Sequence, residues 1–277
     1  MNITPSTKLC MIVGSPIKHS LSPVMHNAAF SVTGLDDKYV YVGCDINEKQ
    51  IDDLIRAVKA LRVHGISCTA PLKESIFEYL DTVDPIAEQI GAVNTIVNTD
   101  GKLHGYNTDW LGVTKPLYNV FGLNNDQQIL LVGAGGAAKA AAYGLANDNY
   151  DVTICNRTLD AAQSLGDKYA FKVIAQDNQV SVGNYDVIIN TVPSVAHESN
   201  SFFDYLGENC RQNQVVFDIT YGSSNRFTEL AVRNQATVID GREMLLYQGM
   251  EQFHLFTGLH APEAAMRIAI GLGVTND

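Results

Sequence analysis

The sequence predicts an α/β chain of two domains, the second of them a doubly wound parallel sheet. Three observations predict it. The 277 residues are more than one hydrophobic core comfortably organises and suit two domains of ~100–200 residues each. Short apolar runs alternate with helical apolar spacing almost from end to end, the pattern of βαβ units joined by right-handed crossovers. An apolar strand at 129–132 also runs straight into a glycine turn and an alanine-rich helix.

In chain order, residues 9–13 (LCMIV) read as a buried strand, 23–33 as a helix and 39–46 (YVYVGCDI) as a second strand. Residues 48–61 place Ile51, Leu54, Ile55, Val58 and Leu61 on one helical face. HGISC at 64–68 is a third short strand, and two further helical stretches follow. VNTIVNTDGKLHGYN at 93–107 reads as two strands joined by Asp100-Gly101, a hairpin signal because both turn positions tolerate positive φ. A helix near 108–114 connects the halves. Beyond it come strand, turn and helix at 128–146, a strand at 151–158, a helix at 159–168, and three more strands at 185–191, 214–220 and 237–241. Two helices, 243–257 and 262–272, close the chain. The expected division is residues 1–108 for the first domain and 109–240 for the second.

Composition narrows the function classes. Acidic residues outnumber basic ones by 30 to 19, a net charge of -11, so neither nucleic acid nor an anionic membrane is an expected partner. The five cysteines (Cys10, Cys44, Cys68, Cys155 and Cys210) form no CxxC pair, which argues against a zinc site or a disulfide framework. Cys10, Cys44 and Cys155 sit in apolar strand-like runs and are expected to be buried free thiols, as suits a reducing compartment. No N-terminal basic stretch precedes a long apolar one, and no apolar run approaches ~18 residues. A soluble cytoplasmic protein is expected, without signal peptide, membrane span or metal.

Gly133-Ala134-Gly135-Gly136-Ala137-Ala138 reads G-x-G-x-x-A between strand and helix. Gly133 permits the tight turn, Gly135 lets the backbone approach a pyrophosphate, and Ala138 allows close helix–strand packing. Amides at the helix start, aided by the helix dipole, favour that anion. A dinucleotide site is therefore expected here. A site for NAD usually ends its next strand in a carboxylate for the ribose 2′-hydroxyl. This chain has Asn156-Arg157-Thr158 instead, and a guanidinium suits a 2′-phosphate, so NADP is the expected cofactor.

Further blocks stand in register around these. They are GSPIKHSLSP at 14–23 with His26-Asn27, GISCTAPLK at 65–73, GAVNT at 91–95, GYNTD at 105–109, and DGREML at 240–245 with Gln248 three residues on. Together with GAGGA and NRT they resemble the shikimate dehydrogenase family over nearly the whole chain. The resemblance implies an N-terminal α/β substrate domain and a Rossmann-type doubly wound dinucleotide-binding domain. It also implies NADP-linked interconversion of shikimate and 3-dehydroshikimate, in aromatic amino acid (chorismate) biosynthesis. Lys73 and Asp109 match the catalytic lysine and aspartate, a proton-handling dyad in which the sequence does not say which member moves the proton. Alcohol oxidation needs such a pair, because hydride leaves carbon while a proton leaves oxygen, and a desolvated lysine can exchange that proton near neutral pH.

Ser20 and Ser22 match the serines that bind the substrate carboxylate; Asn94 and Gln248 match hydroxyl binders, and Thr69 a further polar contact. Ser67 and Tyr221 complete the expected substrate set, and Thr191, Gly241 and Met244 the expected cofactor set. The C-terminal helices at 241–277 are expected to return to the first domain, since Gln248 must reach the substrate. Taken alone, Ser22 before Pro23 reads equally as a helix N-cap, and so does Asp109 before the helix it opens.

The chain also departs from the family pattern. Ser67 stands where many members have Asn, Ala161 where a second Arg would extend NRTxxR, Glu243 where Gly is usual and Ser223 where Pro is usual. The run Asn190–Ser194 lacks a usual glycine close by. Ser67 and Ala161 keep open a quinate/shikimate dehydrogenase paralogue with NAD or relaxed specificity. A non-catalytic NADP-binding regulator is the reading from another class, opposed by the complete Lys73/Asp109 pair. Methylenetetrahydrofolate dehydrogenase shares the two-domain plan by analogy of fold alone. A monomer or homodimer fits the sequence equally.

Overall fold

A computed structural model of the chain describes residues 3–122, 125–193, 201–221 and 225–273. The expectations about Ser194 and Ser223 lie outside the described residues. The chain forms two units. One comprises Met1–Asp109 with Leu245–Asp277, the other Trp110–Met244.

The first unit is built on a six-stranded sheet. Its strands are β1 (Lys8–Gly14), β2 (Tyr39–Asp45), β3 (Gly65–Cys68), β4 (Thr82–Val83), β5 (Thr95–Thr99) and β6 (Lys102–Tyr106), in the order β2-β1-β3-β5-β6-β4. β1 pairs in parallel with β2 and β3, while β3 with β5 and β5 with β6 are antiparallel. The Asp100-Gly101 turn closes the β5–β6 hairpin with φ of +53° and +88°, the two positive values a type I′ turn needs. Helix α1 (Ser22–Val32) follows β1, and α2 (Ile51–Ala60) turns Ile51, Leu54, Ile55 and Val58 inward. α2 is shorter than expected. Residues 48–50 form a 3-10 turn, closed by a capping box between Asn47 and Gln50. Leu61 falls past the helix end and is exposed, not part of the apolar face. Cys44 also departs from expectation: it is only half-buried, because β2 is an edge strand. Short helices α3 (Leu72–Ser75) and α4 (Pro85–Ile90) precede the hairpin.

The second unit begins within helix α5 (Asp109–Phe121). Its strands are β7 (Gln128–Val132), β8 (Asp151–Asn156), β9 (Lys172–Ala175), β10 (Val187–Asn190), β11 (Val215–Asp218) and β12 (Thr237–Ile239), in the order β12-β11-β10-β7-β8-β9 and parallel throughout. Helices α6 (Gly136–Asn147), α7 (Leu159–Tyr169), α8 (Ser201–Glu208) and α9 (Arg226–Arg233) connect them. Side-chain alternation along each strand splits the apolar residues between two cores. Ile129, Leu131, Val187, Ile189 and Phe217 pack with Ala138, Ala141 and Leu145 of α6. Leu130, Val132, Ile188 and Val216 pack with Phe202, Phe203 and Leu206 of α8 and Phe227 of α9. Strands covered on both faces carry near-continuous apolar runs, and each such Val, Leu, Ile or Phe contributes ~1.5–3 kcal/mol by leaving water.

Helix α10 (Gly241–Thr257) starts in the second unit and passes into the first, where α11 (Glu263–Ala269) also packs, against α1. Among the described residues, no helix is long and apolar enough to cross a membrane, and no group of His, Cys, Asp and Glu could hold a metal ion.

Candidate active site

Sheet register gathers the first unit's polar residues at one end. Ser67 of β3 pairs with Thr95 of β5, which pairs with Tyr106 of β6. Antiparallel pairing therefore sets the end of β3, the start of β5 and the end of β6 side by side. Thr69, Asn94 and the Asn107–Asp109 turn follow from those positions.

At this end Lys73 Nζ donates to Asp109 Oδ2 at 2.6 Å, with side-chain exposures of 17% and 4%. Asn94 Nδ2 donates to the other carboxylate oxygen, Oδ1, at 2.8 Å. The Asn94 amide cannot turn over without loss, because its Oδ1 accepts from the Thr108 backbone N–H at 2.8 Å and from Thr95 Oγ1 at 2.8 Å. Gln248 Oε1 lies 3.3 Å from Asn94 Nδ2, while Gln248 Nε2 donates to the Leu245 carbonyl. The Lys73 carbonyl accepts from Val93 N–H, tying the lysine's backbone to the segment that presents Asn94. Asp109 is not an N-cap: Asn107 Oδ1 accepts from the Asp109 N–H at 3.0 Å, leaving the Asp109 carboxylate to Lys73 and Asn94. Such an arrangement can hold an ammonium group in a fixed place and pass a proton to or from an oxygen set beside it.

Ser67 is 3% exposed. Its Oγ accepts from the Tyr41 hydroxyl at 2.6 Å and donates to Gln252 Oε1 at 2.8 Å. The Tyr41 ring stacks on His26, with centroids 4.4 Å apart. His26 is fully buried and neither ring nitrogen makes a hydrogen bond. Burial pushes its imidazole down to about 4; the Gln252 carboxamide is near enough to oppose that shift but lies outside hydrogen-bonding geometry.

Ser20 and Ser22 sit where β1 feeds α1. The N-cap position is Leu21, without a side-chain cap, so the capping reading of Ser22 fails. Ser22 N–H instead donates to Ser20 Oγ at 3.3 Å. The end of β1 presses on the loop after β3: Ser15 N–H donates to the Ala70 carbonyl, and Gly14 (φ +153°) has no room for a Cβ, which would stand 2.8 Å from that same oxygen. The serine loop and the Thr69–Lys73 loop are thus fixed against each other, with Thr69 half-buried between β3 and α3.

In the second unit the chain runs from β7 outward to β8 and β9, then returns to β10 on the other side of β7. This is the switch point where doubly wound sheets open a ligand crevice. Gly133 (φ +114°) follows β7, and its missing side chain leaves place for Thr191 Oγ1, which donates to the Val132 carbonyl at 2.7 Å. Gly135 is the N-cap of α6 and has no side-chain cap, and nothing lies within 4 Å of where its Cβ would be. With Ala134, Gly136 and Ala137 it forms a turn ending in the helix-start amides of α6, which fits a pyrophosphate. At the end of β8, Asn156 Nδ2 donates to the Thr158 carbonyl, and Arg157 and Thr158 are exposed. Ala161 is exposed in α7, so no second guanidinium joins Arg157 there. Gly241 approaches the backbone after β11, where a Cβ would lie 2.7 Å from the Asp218 carbonyl, and Met244 is 7% exposed against Gly112. Tyr221, half-buried, follows β11.

The first unit thus brings together Lys73, Asn94, Asp109 and Gln248 directly, with Ser67 linked through Gln252. Five residues of this hydrogen-bonded cluster received no role in the sequence reading: Tyr41, Thr95, Asn107, Thr108 and Gln252, of which Thr95, Asn107 and Thr108 lie within the GAVNT and GYNTD blocks. Gln252 had a signal, a second glutamine four residues after Gln248 on one helical face. Asp218 in the second unit escaped too. Its Oδ1 accepts from Asn190 Nδ2, Thr220 N–H and Thr220 Oγ1, and its Oδ2 from Asn225 Nδ2, shaping the turn before Tyr221.

The chain matches three family models: the shikimate dehydrogenase substrate binding domain over residues 12–96, shikimate / quinate 5-dehydrogenase over 118–234, and the shikimate 5'-dehydrogenase C-terminal domain over 241–270. It is 36% identical to a shikimate dehydrogenase (NADP(+)) of Methanococcus maripaludis, covering 95% of this chain and 96% of the relative. A protein of the same name from Aquifex aeolicus is also 36% identical, over 94% and 95% of the two chains. Among solved structures, shikimate dehydrogenase from Aquifex aeolicus superposes with a TM-score of 0.89 at 34% identity, over 97% of this chain and 99% of that one. A shikimate dehydrogenase in complex with NADP+ gives a TM-score of 0.86 at 36% identity, over 97% and 96%. The enzyme of Thermus thermophilus in complex with NADP(H) and shikimate gives 0.81 at 27% identity, over 95% and 98%.

Proposed function

The chain belongs to the shikimate dehydrogenase family, and from that premise we propose that it is an NADP-dependent oxidoreductase interconverting shikimate and 3-dehydroshikimate. The observation that carries the chemistry is the Lys73–Asp109 pair at 2.6 Å, with Asn94 on the second carboxylate oxygen. When bound, NADP supplies the hydride acceptor, or as NADPH the donor, at its nicotinamide. The Gly133–Ala137 turn would hold its pyrophosphate and Arg157 its 2′-phosphate, with Thr191, Asn156, Thr158, Gly241 and Met244 around them. In the reducing direction the Lys73 ammonium keeps one N–H on Asp109 and offers another to the substrate carbonyl oxygen, polarising it and delivering the proton. In the oxidising direction the pair takes that proton from the hydroxyl oxygen. Asp109 orients Lys73 and keeps its charge compensated while the proton moves. Ser20 and Ser22 would bind the substrate carboxylate by hydroxyl donation, and Thr69, Asn94, Gln248 and Tyr221 its hydroxyls. The buried thiols and the charge of -11 fit a cytoplasmic enzyme of small molecules, monomer or homodimer.

Lys73→Ala tests this reading. Turnover of shikimate falls by a factor of ~10²–10⁴, the usual contribution of a positioned acid–base group, while NADP+ binding is retained. Near-normal turnover would remove Lys73 from the chemistry.

A further inference from the structure

Gln252 is 1% exposed on α10, one helical turn after Gln248. Its carboxamide bridges two strands. Oε1 accepts from Ser67 Oγ on β3 at 2.8 Å, and Nε2 donates to Thr95 Oγ1 on β5 at 2.9 Å and to the Asn94 carbonyl at 3.2 Å. We propose that Gln252 is a positioning residue for the reaction, its carboxamide fixing Asn94 and, through Asn94, the Asp109–Lys73 pair. The inference rests on the function proposed above and assigns that site a residue outside the substrate and cofactor sets.

The direction of each hydrogen bond supports it. Tyr41 OH donates to Ser67 Oγ, whose single proton goes to Gln252 Oε1. Gln252 Nε2 donates to Thr95 Oγ1, whose own proton then goes to Asn94 Oδ1. With its oxygen so engaged, Asn94 turns Nδ2 to Asp109 Oδ1, and Lys73 donates to Oδ2. The result is one unbroken chain from Tyr41 to the carboxylate in which the Ser67 and Thr95 hydroxyls each both accept and donate, an arrangement in which neighbouring bonds polarise one another. Ser67, Thr95 and Asn94 are each 3% exposed or less, so water does not easily substitute for a missing member. Gln252 also holds Asn94 by its peptide carbonyl, and so grips it at both ends.

The same geometry explains the serine at position 67. An asparagine there would carry its own carboxamide on β3. The Ser67 hydroxyl has its only proton committed to Gln252 and has none left to donate to a ring hydroxyl. The carboxamide comes instead from α10, and Ser67 serves as its anchor.

The test uses the full-length protein as wild type, as Gln252→Met, and as Gln252→Met with Ser67→Asn. Methionine keeps most of the volume and removes the carboxamide. Gln252→Met is expected to lower kcat for shikimate oxidation by about tenfold to a hundredfold, the size of effect that follows from misplacing a catalytic group without deleting it. The KM for NADP+ stays within about twofold. Adding Ser67→Asn returns a carboxamide to the gap and restores kcat to within about threefold of wild type. A merely structural glutamine would lower stability in Gln252→Met but leave the kcat of folded protein unchanged. Retention of kcat within about twofold, or a loss that Ser67→Asn leaves unaltered, overturns the proposal. The Asn94 side-chain amide resonances give a readout that needs no substrate: Gln252→Met displaces them and the double variant returns them. If the wild type turns over no shikimate, the functional reading fails, and these resonances alone decide the positioning role. Unmoved resonances overturn it.

Discussion

Asp109→Asn separates charge from shape at the centre of the site. In the wild type both carboxylate oxygens receive donors, Lys73 Nζ at 2.6 Å and Asn94 Nδ2 at 2.8 Å. Asparagine has one oxygen and one NH2 group. Whichever way it turns, an NH2 faces either the lysine ammonium or the Asn94 amide. The Asn94 amide cannot reverse to relieve this, because the Thr108 backbone N–H holds its oxygen. Removing one partner of a buried ion pair costs ~3–5 kcal/mol. The Lys73 side chain keeps 17% exposure, which lets water compensate in part and places the loss near the lower end, about 3 kcal/mol. Turnover should fall further than stability suggests, by ~10²–10⁴, since the lysine loses both its orientation and its compensating charge. Initial rates of NADPH formation measure the first effect and urea unfolding the second. NADP+ affinity should be unchanged, because the Gly133–Ala137 cradle belongs to the other unit. A variant that keeps a tenth or more of wild-type turnover, on the ~10²–10⁴ scale expected, would refute the pair's role. So would one that unfolds at the wild-type urea concentration.

Two further outcomes follow from other parts of the structure. Arg157 is exposed beside the expected 2′-phosphate site. Arg157→Ala should raise the KM for NADP+ by ~10–100-fold, the loss of one or two charge-assisted hydrogen bonds, and leave that for NAD+ unaltered; equal changes in both would show that the guanidinium does not read the phosphate. His26 should make the fold acid-sensitive. Burial lowers its imidazole to about 4 from an ordinary 6.5, so between those values the unfolded chain takes up a proton that the folded one refuses. Stability from this group is complete above 6.5 and is lost as pH falls toward 4, by up to ~1.4 kcal/mol per pH unit. Comparing urea midpoints of wild type and His26→Phe at about pH 7 and about pH 5 should show the wild type losing more. A constant difference would mean that the buried imidazole is not held neutral.

What could be read from sequence follows physical lines. The strands β1, β7, β10 and β11 were legible because they are buried on both faces and carry unbroken apolar runs. The β5–β6 turn was legible because Asp100-Gly101 suits two positive φ values. β9 was not, since an edge strand of four residues, two exposed and two half-buried, carries little pattern, and β4 has only two residues. α8 and α9, of eight residues each, were not read from the sequence. In the site, the glycines and Arg157 were legible from their placement after β7 and β8, whereas Lys73 and Asp109 stood out only through the motif blocks that carry the family resemblance. The residues that orient others received no role by either route. Tyr41 looks like a strand aromatic and Thr95 like a β-branched strand residue; their bonds to Ser67 and Asn94 join into one network only when α10 returns to the first unit and brings Gln252 to Ser67 of β3 and Thr95 of β5. That contact spans 185 residues of chain, beyond any local pattern.

Initial rates of reduced-cofactor formation with shikimate and with quinate, each offered with NADP+ and with NAD+, separate the proposed activity from its alternatives. The highest kcat/KM is expected for shikimate with NADP+. A clear preference for quinate or for NAD+, or no turnover by folded protein that still binds NADPH, would contradict it.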